Sequence, residues 1–268
     1  MRHKLAFALV LGLAAPAAPA RAQPADTAAI STDPLFTGSD LIVAGSFVLG
    51  TLAAHPVDKY FAKRLQNPWA QENRWLRRAA TTFNITAAPG SLIIGGTLYG
   101  VGRIGGNERM ADLGLHGTEA IAIAGVATTL IKGTAGRARP YREPDNPRNF
   151  GLNRGWRHEE YRSFPSGHST MAFAAAAAVT EESALWWPHS KWYVGTVMYG
   201  GAALVGVSRM YSNKHWASDV IMGAAFGTFA GRKVVKYHHS HPDNRVDRWL
   251  LAGSIRGGEL SLLVLPGL

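Results

Sequence analysis

Apolar segments separated by short polar ones run through most of the chain, and they predict a protein built of α-helices. Ser39-Asp40 form a helix start before the first apolar segment, and Pro89 interrupts a later one. Strand-like alternation is confined to residues 250–265, where a Gly-Gly pair between two short runs predicts a hairpin. The expected helical segments are 41–54, 57–65, 75–88, 91–102, 107–131, 171–179, 192–207 and 215–235. This pattern predicts an all-α fold, a helical bundle, with a short C-terminal β-hairpin.

Glycines at four-residue spacing mark two of these segments. One segment contains Gly96 and Gly100, and the other contains Gly223, Gly227 and Gly231. Small residues at this spacing let helix backbones approach closely. We therefore expect both rows of glycines to lie at helix contacts.

The charge-free windows are the candidates for membrane spans, and most of them are short. They run over 41–57, 79–102, 120–131, 192–208 and 220–231. Several fall short of the roughly 20 apolar residues that a spanning helix needs, and the longest is broken by Asn84 and Pro89. The mean hydropathy of −0.03 also indicates burial in protein rather than in lipid. These features favour a soluble protein and leave contact with a membrane surface open.

The chain is basic, with a formal net charge of +10 at pH 7, to which Arg2, Lys4 and Arg21 contribute three. Such a charge favours anionic partners, whether nucleic acid, phospholipid or a phosphorylated substrate. Nucleic acid is the weakest of these, because the basic residues are scattered rather than gathered on one helix face. The segment 57–65 mixes Asp58 with several cations and predicts a short surface helix. With no cysteine, the chain has neither disulfides nor thiol catalysis.

The N-terminus has the three parts of a secretory signal peptide. A basic start, a short apolar run and small residues before Gln23 predict that residues 1–22 are removed on export. Residues 23–37 predict a flexible leader, and 38–268 predict a single domain with its core at 90–235. The expected location is the periplasm, and association with a membrane is left open.

A histidine and an aspartate stand four residues apart near the end of the chain, and an arginine precedes them. On a helix His215 and Asp219 would share one face, so the carboxylate could accept the Nδ1 proton and leave Nε2 free. Arg209 offers donors suited to an oxyanion. Together they predict a site for attack on an anionic centre. A capping or surface pair is the alternative for this segment alone.

A second segment supplies two further cations. Lys132 and Arg139 are seven residues apart, two helical turns, and could point the same way. Gly133 and Gly136 would loosen that helix, and Pro140 would end it. The alternative is a basic helix end that complements its own dipole. The long segment 141–164 that follows predicts either a lid over the site or disorder.

A third segment predicts an anion cradle at the start of a helix. Pro165-Ser166-Gly167 would expose backbone N–H groups at the positive end of the helix dipole, with His168 in the first turn. Alternatives are a simple N-cap by Ser166 and a serine nucleophile, although the G-x-S-x-G elbow is missing.

Metal binding has weaker support in the sequence. No carboxylate-rich segment accompanies the candidate site, so no Mg²⁺ or Zn²⁺ cluster is evident. The run 237–241 contains three histidines and could bind metal, but a solvated helix end is the expected reading.

In order, the three segments read K-x6-R-P (132–140), P-S-G-H (165–168) and S-R-x5-H-x3-D (208–219). This arrangement resembles the signature of the type 2 phosphatidic acid phosphatase superfamily, which also holds class A acid phosphatases and vanadium-dependent haloperoxidases. Every signature position matches, over roughly residues 90–235. One departure is Asn213, where many relatives have glycine two residues before the histidine; asparagine tolerates the left-handed conformation, so we expect the turn to survive.

The resemblance implies a helical bundle with the site at one end, and an enzyme that hydrolyses phosphoric monoesters or lipid (di)phosphates. It implies that His215 is the nucleophile that forms a phosphohistidine, that Asp219 holds it, and that His168 is the general acid and base. The implied phosphate-binding residues are Lys132, Arg139, Ser166, Gly167 and Arg209. No metal or cofactor is implied, and vanadate is expected to bind as a phosphate mimic.

The expected partner is a phosphorylated small molecule, a phospholipid or an isoprenoid phosphate. A vanadium haloperoxidase and a non-catalytic protein that binds anions or phospholipid are the alternative functions. The residues do not distinguish lipid from soluble substrates.

Overall fold

The structure, a computed structural model, describes residues 34–241, 244, 246, 255–256 and 259–260. The predicted signal peptide and most of the predicted leader lie outside the described residues. Those that are described all fall in one unit, Asp33–Leu268.

Helices dominate this part of the chain, as predicted. They are α1 (Gly38–Ala54), α2 (Asp58–Arg64), α3 (Pro68–Glu72), α4 (Arg74–Ile85), α5 (Ser91–Ile104), α6 (Glu108–Ala135), α7 (Gly167–Trp186), α8 (Lys191–Tyr211) and α9 (Ala217–Ser240). Two short strands, β1 (Ile255–Arg256) and β2 (Glu259–Leu260), pair antiparallel where the hairpin was expected. The all-α prediction is confirmed.

The ends of α6 follow from local sequence. The Asn107 side chain accepts a hydrogen bond from the Met110 amide at 3.1 Å and so caps the N-terminus. At the other end Gly136 has a φ of 54°, a left-handed conformation that stops the helix after Ala135. Arg139 therefore lies beyond the helix, and the expectation that it stands two helical turns from Lys132 is wrong.

Helices α7 and α9 are in close backbone contact. A Cβ added at Gly227 would lie 2.2 Å from the Thr170 carbonyl oxygen, and one at Gly231 would lie 2.5 Å from that of Ala174. This row of glycines makes the predicted helix contact. The prediction for the other row is wrong, because a Cβ at Gly96 would meet nothing within 4 Å.

Three helical segments are long and apolar enough, by length and composition, to cross a membrane: Gly38–Arg64, Arg74–Ile104 and Glu108–Ala135. The sequence-based preference for a soluble protein is therefore not supported. It treated Pro56 and Pro89 as interruptions. Helical structure continues through Pro56, whereas the interruption at Pro89 is confirmed, because Ala88 has a non-helical conformation with a φ of −155° and a ψ of 121°. Helix α1 also turns large apolar side chains outward, with Leu41 77% exposed and Ile42 72% exposed. These surfaces suit lipid and indicate membrane association.

Candidate active site

The C-terminal ends of α6 and α8 and the N-terminal ends of α7 and α9 carry the candidate site residues. Lys132 lies in the last turn of α6, His168 in the first turn of α7, and Arg209 in the last turn of α8. A Cβ placed on Gly167 would lie 3.4 Å from Cε of Lys132, which puts the α6 cation beside the α7 N-terminus. The fold thus brings the three sequence segments to one end of the bundle.

His215 is buried in the turn before α9, which begins only at Ala217. Its Nδ1 donates a hydrogen bond to the Ser163 carbonyl oxygen at 2.7 Å. The Asp219 carboxylate lies 3.6 Å from the same nitrogen. The expectation that His215 and Asp219 share a helical face, with the carboxylate taking the Nδ1 proton, is therefore wrong in detail. The consequence is unchanged: Nδ1 keeps its proton, and Nε2 carries the lone pair.

Asp219 organises the backbone around His215. Its Oδ2 accepts hydrogen bonds from the Ser163 hydroxyl at 2.5 Å and from the Trp216 amide at 2.8 Å. Burial alone would raise the pKa of this carboxyl, but the charge of Arg137 and the hydrogen bonds it accepts hold the pKa well below its usual range. Asp219 is therefore ionised, and it holds the segment that carries the His215 acceptor.

A buried ion network behind Asp219 was missed in the sequence. Arg137 donates to Oδ1 of Asp219 at 2.5 Å and to Oδ2 of Asp58 at 2.8 Å. Asp58 also accepts from the amide of Ser218 at 2.8 Å and from its hydroxyl at 2.6 Å. Asp58 is 0% exposed, so the prediction that its segment forms a surface helix is wrong for the face of α2 that carries Asp58. Ser218, which donates to Asp58, lies 160 residues further along the chain. The residues of 57–65 alone could therefore not have indicated this contact.

Arg209 is held by an asparagine from α4. Asn84 Oδ1 accepts from Nη1 of Arg209 at 2.9 Å and from the Ser208 hydroxyl at 2.9 Å. Nε of Arg209 is buried, and no described residue accepts its proton. A buried donor without an acceptor is suited to an oxygen of a bound anion. Asn84, which the sequence presented only as a helix interruption, thus positions a site cation.

The segment after α6 wraps back onto the site, and its described residues are ordered by specific contacts. Nζ of Lys132 donates to the Arg162 carbonyl at 2.8 Å. Nε of Arg139 donates to the Glu159 carbonyl at 3.1 Å, and its Nη2 forms an ion pair with the carboxylate of Glu159. The segment 141–164 is therefore not disordered: it contacts Lys132 and Arg139, and its Ser163 supplies the carbonyl that orients His215.

Ser166 is the N-cap residue of α7, as predicted, but its side chain does not cap. Its buried hydroxyl accepts a hydrogen bond from the Ser169 hydroxyl at 2.9 Å, and its amide donates to the Asp219 carbonyl at 3.0 Å. The latter contact ties the α7 and α9 N-termini together. The helix dipole of α7 leaves a positive end at Gly167 and His168.

The two histidines lie within reach of the site cations. Burial and the charges of Arg209, Lys132 and Arg139 lower the pKa of His168 to about 4. Burial and the charge of Lys132 likewise lower the pKa of His215 well below its ordinary value. Both imidazoles are thus neutral at pH 7 until an anion offsets the surrounding positive charge.

Asn213 has a φ of 57°, which confirms the predicted left-handed conformation. This residue turns the chain between α8 and α9, where the amide of Lys214 donates to the Arg209 carbonyl at 3.1 Å. Asparagine thus supplies the left-handed residue that this turn needs.

Two neutral imidazoles, three cations and a helix N-terminus at one end of a helical bundle define a site for an anionic tetrahedral group such as phosphate. Residues 115–242 match the family model of the PAP2 superfamily. The resemblance seen in the sequence is confirmed.

Two curated relatives match part of the chain. The chain is 44% identical over 69 residues to a lipid A 1-phosphatase of Porphyromonas gingivalis. This match covers 26% of this chain and 15% of the relative. Over 110 residues it is 34% identical to a lipid A 1-phosphatase of Rhizobium etli, covering 40% of this chain and 42% of the relative. The matched region thus spans less than half the length of either relative.

A solved structure shares the fold. The crystal structure of a transmembrane PAP2-type phosphatidylglycerolphosphate phosphatase from Bacillus subtilis aligns with a TM-score of 0.53 at 22% identity. The alignment covers 77% of this chain and 94% of that one. It supports the all-α bundle.

Proposed function

We propose that this protein is a membrane-associated phosphatase that hydrolyses lipid phosphates through a phosphohistidine intermediate on His215. The observation that carries the proposal is the hydrogen bond from Nδ1 of His215 to the Ser163 carbonyl, which leaves Nε2 as a nucleophile beside buried cations. The site residues predicted from the sequence keep their proposed roles.

In the first step Nε2 of His215 attacks phosphorus as the bond from phosphorus to the leaving oxygen breaks. His168, protonated once the phosphate has bound, gives its proton to the leaving oxygen. The products are the alcohol, or a shorter phosphate if the substrate is a diphosphate, and a phosphoryl group on His215. Asp219 does not exchange a proton; it holds the Ser163 segment and its charge favours the imidazolium.

In the second step a water molecule attacks phosphorus and gives a proton to His168, and the phosphorus–nitrogen bond breaks. His215 recovers its lone pair and inorganic phosphate leaves. His168 is a base in this step and an acid in the first, and it releases its proton again once the phosphate anion has left the site.

Lys132, Arg139 and Arg209, with the Gly167 amide and the Ser166 hydroxyl, are proposed to hold the three non-bridging phosphoryl oxygens. Negative charge spreads over these oxygens in the transition state, and preorganised donors stabilise it. Removal of one such donor costs about 3–4 kcal/mol of activation free energy. The proposed chemistry uses no metal or cofactor at this site, and orthovanadate should compete for it.

A lipid substrate is supported by the surroundings of the site. Helix α6, which ends at the site, belongs to a segment apolar enough to cross a membrane, and α1 and α8 expose apolar side chains. The matched relatives are named for a phosphate on lipid A. A chain anchored in lipid would present its phosphate at the membrane surface, where a helix-end site can take it. Export, which the N-terminal sequence predicts, would place that site on the periplasmic side.

The test compares phosphate release by the full chain in detergent micelles from lipid and water-soluble phosphates. We expect faster release from lipid phosphates, inhibition by orthovanadate, and loss of activity in His215→Ala. His189→Ala is the matched control, since His189 is exposed in the turn between α7 and α8. Full activity in His215→Ala would overturn the mechanism. Halide oxidation with vanadate and peroxide, without phosphate release, would indicate the haloperoxidase alternative instead.

A further inference from the structure

At the opposite end of the bundle, three helices bring two histidines and a glutamate into one cluster. His116 comes from α6, Glu182 from α7 and His239 from α9. His116 is 16 residues before Lys132 on the same helix, so the cluster lies about 24 Å from the phosphate cradle. It is a separate site.

The donor atoms of the cluster converge. One ligand atom from each of the three residues lies within 4.8 Å of the others. Nε2 of His239 lies 3.1 Å from both carboxylate oxygens of Glu182, and Nδ1 of His116 contacts the same carboxylate. The separation of ligand atoms in a tetrahedral zinc site is about 3.4 Å, given bonds of about 2.1 Å. Small rotations of the two rings would therefore complete the geometry.

The surroundings favour a resident cation over a simple ion pair. Glu182 is 0% exposed. A single imidazolium would balance the charge of its carboxylate, yet two imidazoles contact it. A third ring, that of His238, stacks on His116 with centroids 4.1 Å apart and pairs with Glu119 at 2.6 Å. The expectation that the 237–241 histidines form a solvated helix end is therefore wrong for His238, which is buried, whereas His239 is 38% exposed and contacts Glu182.

We infer that His116, Glu182 and His239 form a binding site for a divalent transition-metal ion, with Zn²⁺ the best match to two imidazoles and one carboxylate. Three protein ligands leave a fourth position for water. The ion would take the place of the protons that the imidazoles share with Glu182, and it would join α6, α7 and α9 far from the reacting phosphate. This inference is independent of the proposed function.

The test measures metal binding by the full chain, purified in detergent without a histidine tag. We expect one tightly held Zn²⁺ per folded chain by elemental analysis, and a melting temperature that rises with Zn²⁺ but not with Mg²⁺. His239→Ala should weaken Zn²⁺ binding by at least about tenfold. His241→Ala is the matched control, because His241 lies at the same helix end but outside the cluster.

Cobalt provides a readout that needs no variant. Co²⁺ bound to the wild-type chain should show the intense visible absorption of a four-coordinate ion, and Zn²⁺ should displace it. A spectrum of hydrated Co²⁺, or Zn²⁺ binding that is the same in wild type and His239→Ala, would overturn the inference. The cluster would then be a network of ion pairs only.

Discussion

Removal of the Asp58 carboxylate is the sharpest test of how the site is held. Asp58 accepts three buried hydrogen bonds, two from Ser218 and one from Arg137. Arg137 in turn holds Asp219, whose segment orients His215. The change Asp58→Ala leaves the Arg137 guanidinium and the Ser218 donors without these acceptors in the protein interior.

The expected loss of stability follows from this burial. Breaking a buried ion pair by removing one partner costs about 3–5 kcal/mol, because the remaining charge stays desolvated. Asp145 gives a matched control: it contacts Lys59 at 2.7 Å and Lys63 at 2.6 Å, but on the surface. Water and salt screen such exposed pairs, so Asp145→Ala should change the free energy of unfolding little.

The assay is denaturant unfolding in detergent micelles, with phosphate release measured on the same samples. We expect Asp58→Ala to lose several kcal/mol of stability and to lose about tenfold or more in kcat, because misplaced catalytic groups react slowly. Asp58→Asn keeps an acceptor for Ser218, so its stability and its kcat should lie between those of Asp58→Ala and those of wild type. Equal stabilities of Asp58→Ala and Asp145→Ala would refute the idea that this network supports the site.

Three further predictions concern single contacts. Asn84→Ala removes the acceptor that fixes Arg209, so kcat/KM should fall about tenfold with little change in melting temperature; unchanged kinetics would contradict a positioning role. His168 should titrate near pH 4 in the free protein by NMR, and vanadate should raise its pKa because an anion offsets the nearby cations; a free pKa of 6.5 would contradict this geometry. Gly231→Leu should disrupt helix packing and lower the melting temperature, whereas Gly96→Leu should be tolerated.

The sequence predicted the site better than it predicted the support of the site. His168, His215 and the three cations lie in short motifs whose residue types already indicate phosphate chemistry. Their supports are distant: Asp58 contacts Arg137 across 79 residues and Ser218 across 160, and a pattern read locally contains no trace of either pair.

Helix continuity limited the prediction of the fold. Charge-free windows ended at prolines or charged residues, whereas helical structure continues through Pro56 to Arg64, and α6 runs for 28 residues through several charged positions. The interruption predicted at Pro89 does occur, at the non-helical Ala88. At Gly136 the helix is shorter than expected. A single residue with a φ of 54° ends α6, which was expected to continue toward Arg139. Backbone conformation at a few positions decided both outcomes.

The covalent intermediate is the most direct measure of the central claim that His215 attacks phosphorus within a cradle of three cations. A lipid phosphate labelled with ³²P is mixed with excess protein and the reaction is quenched in base, which preserves phosphohistidine. We predict label on His215 in the wild type, slower labelling in His168→Ala, which lacks the acid that protonates the leaving oxygen, and no label in His215→Ala. Phosphate release in wild type with no labelled protein at any time, or label that persists in His215→Ala, would contradict the mechanism.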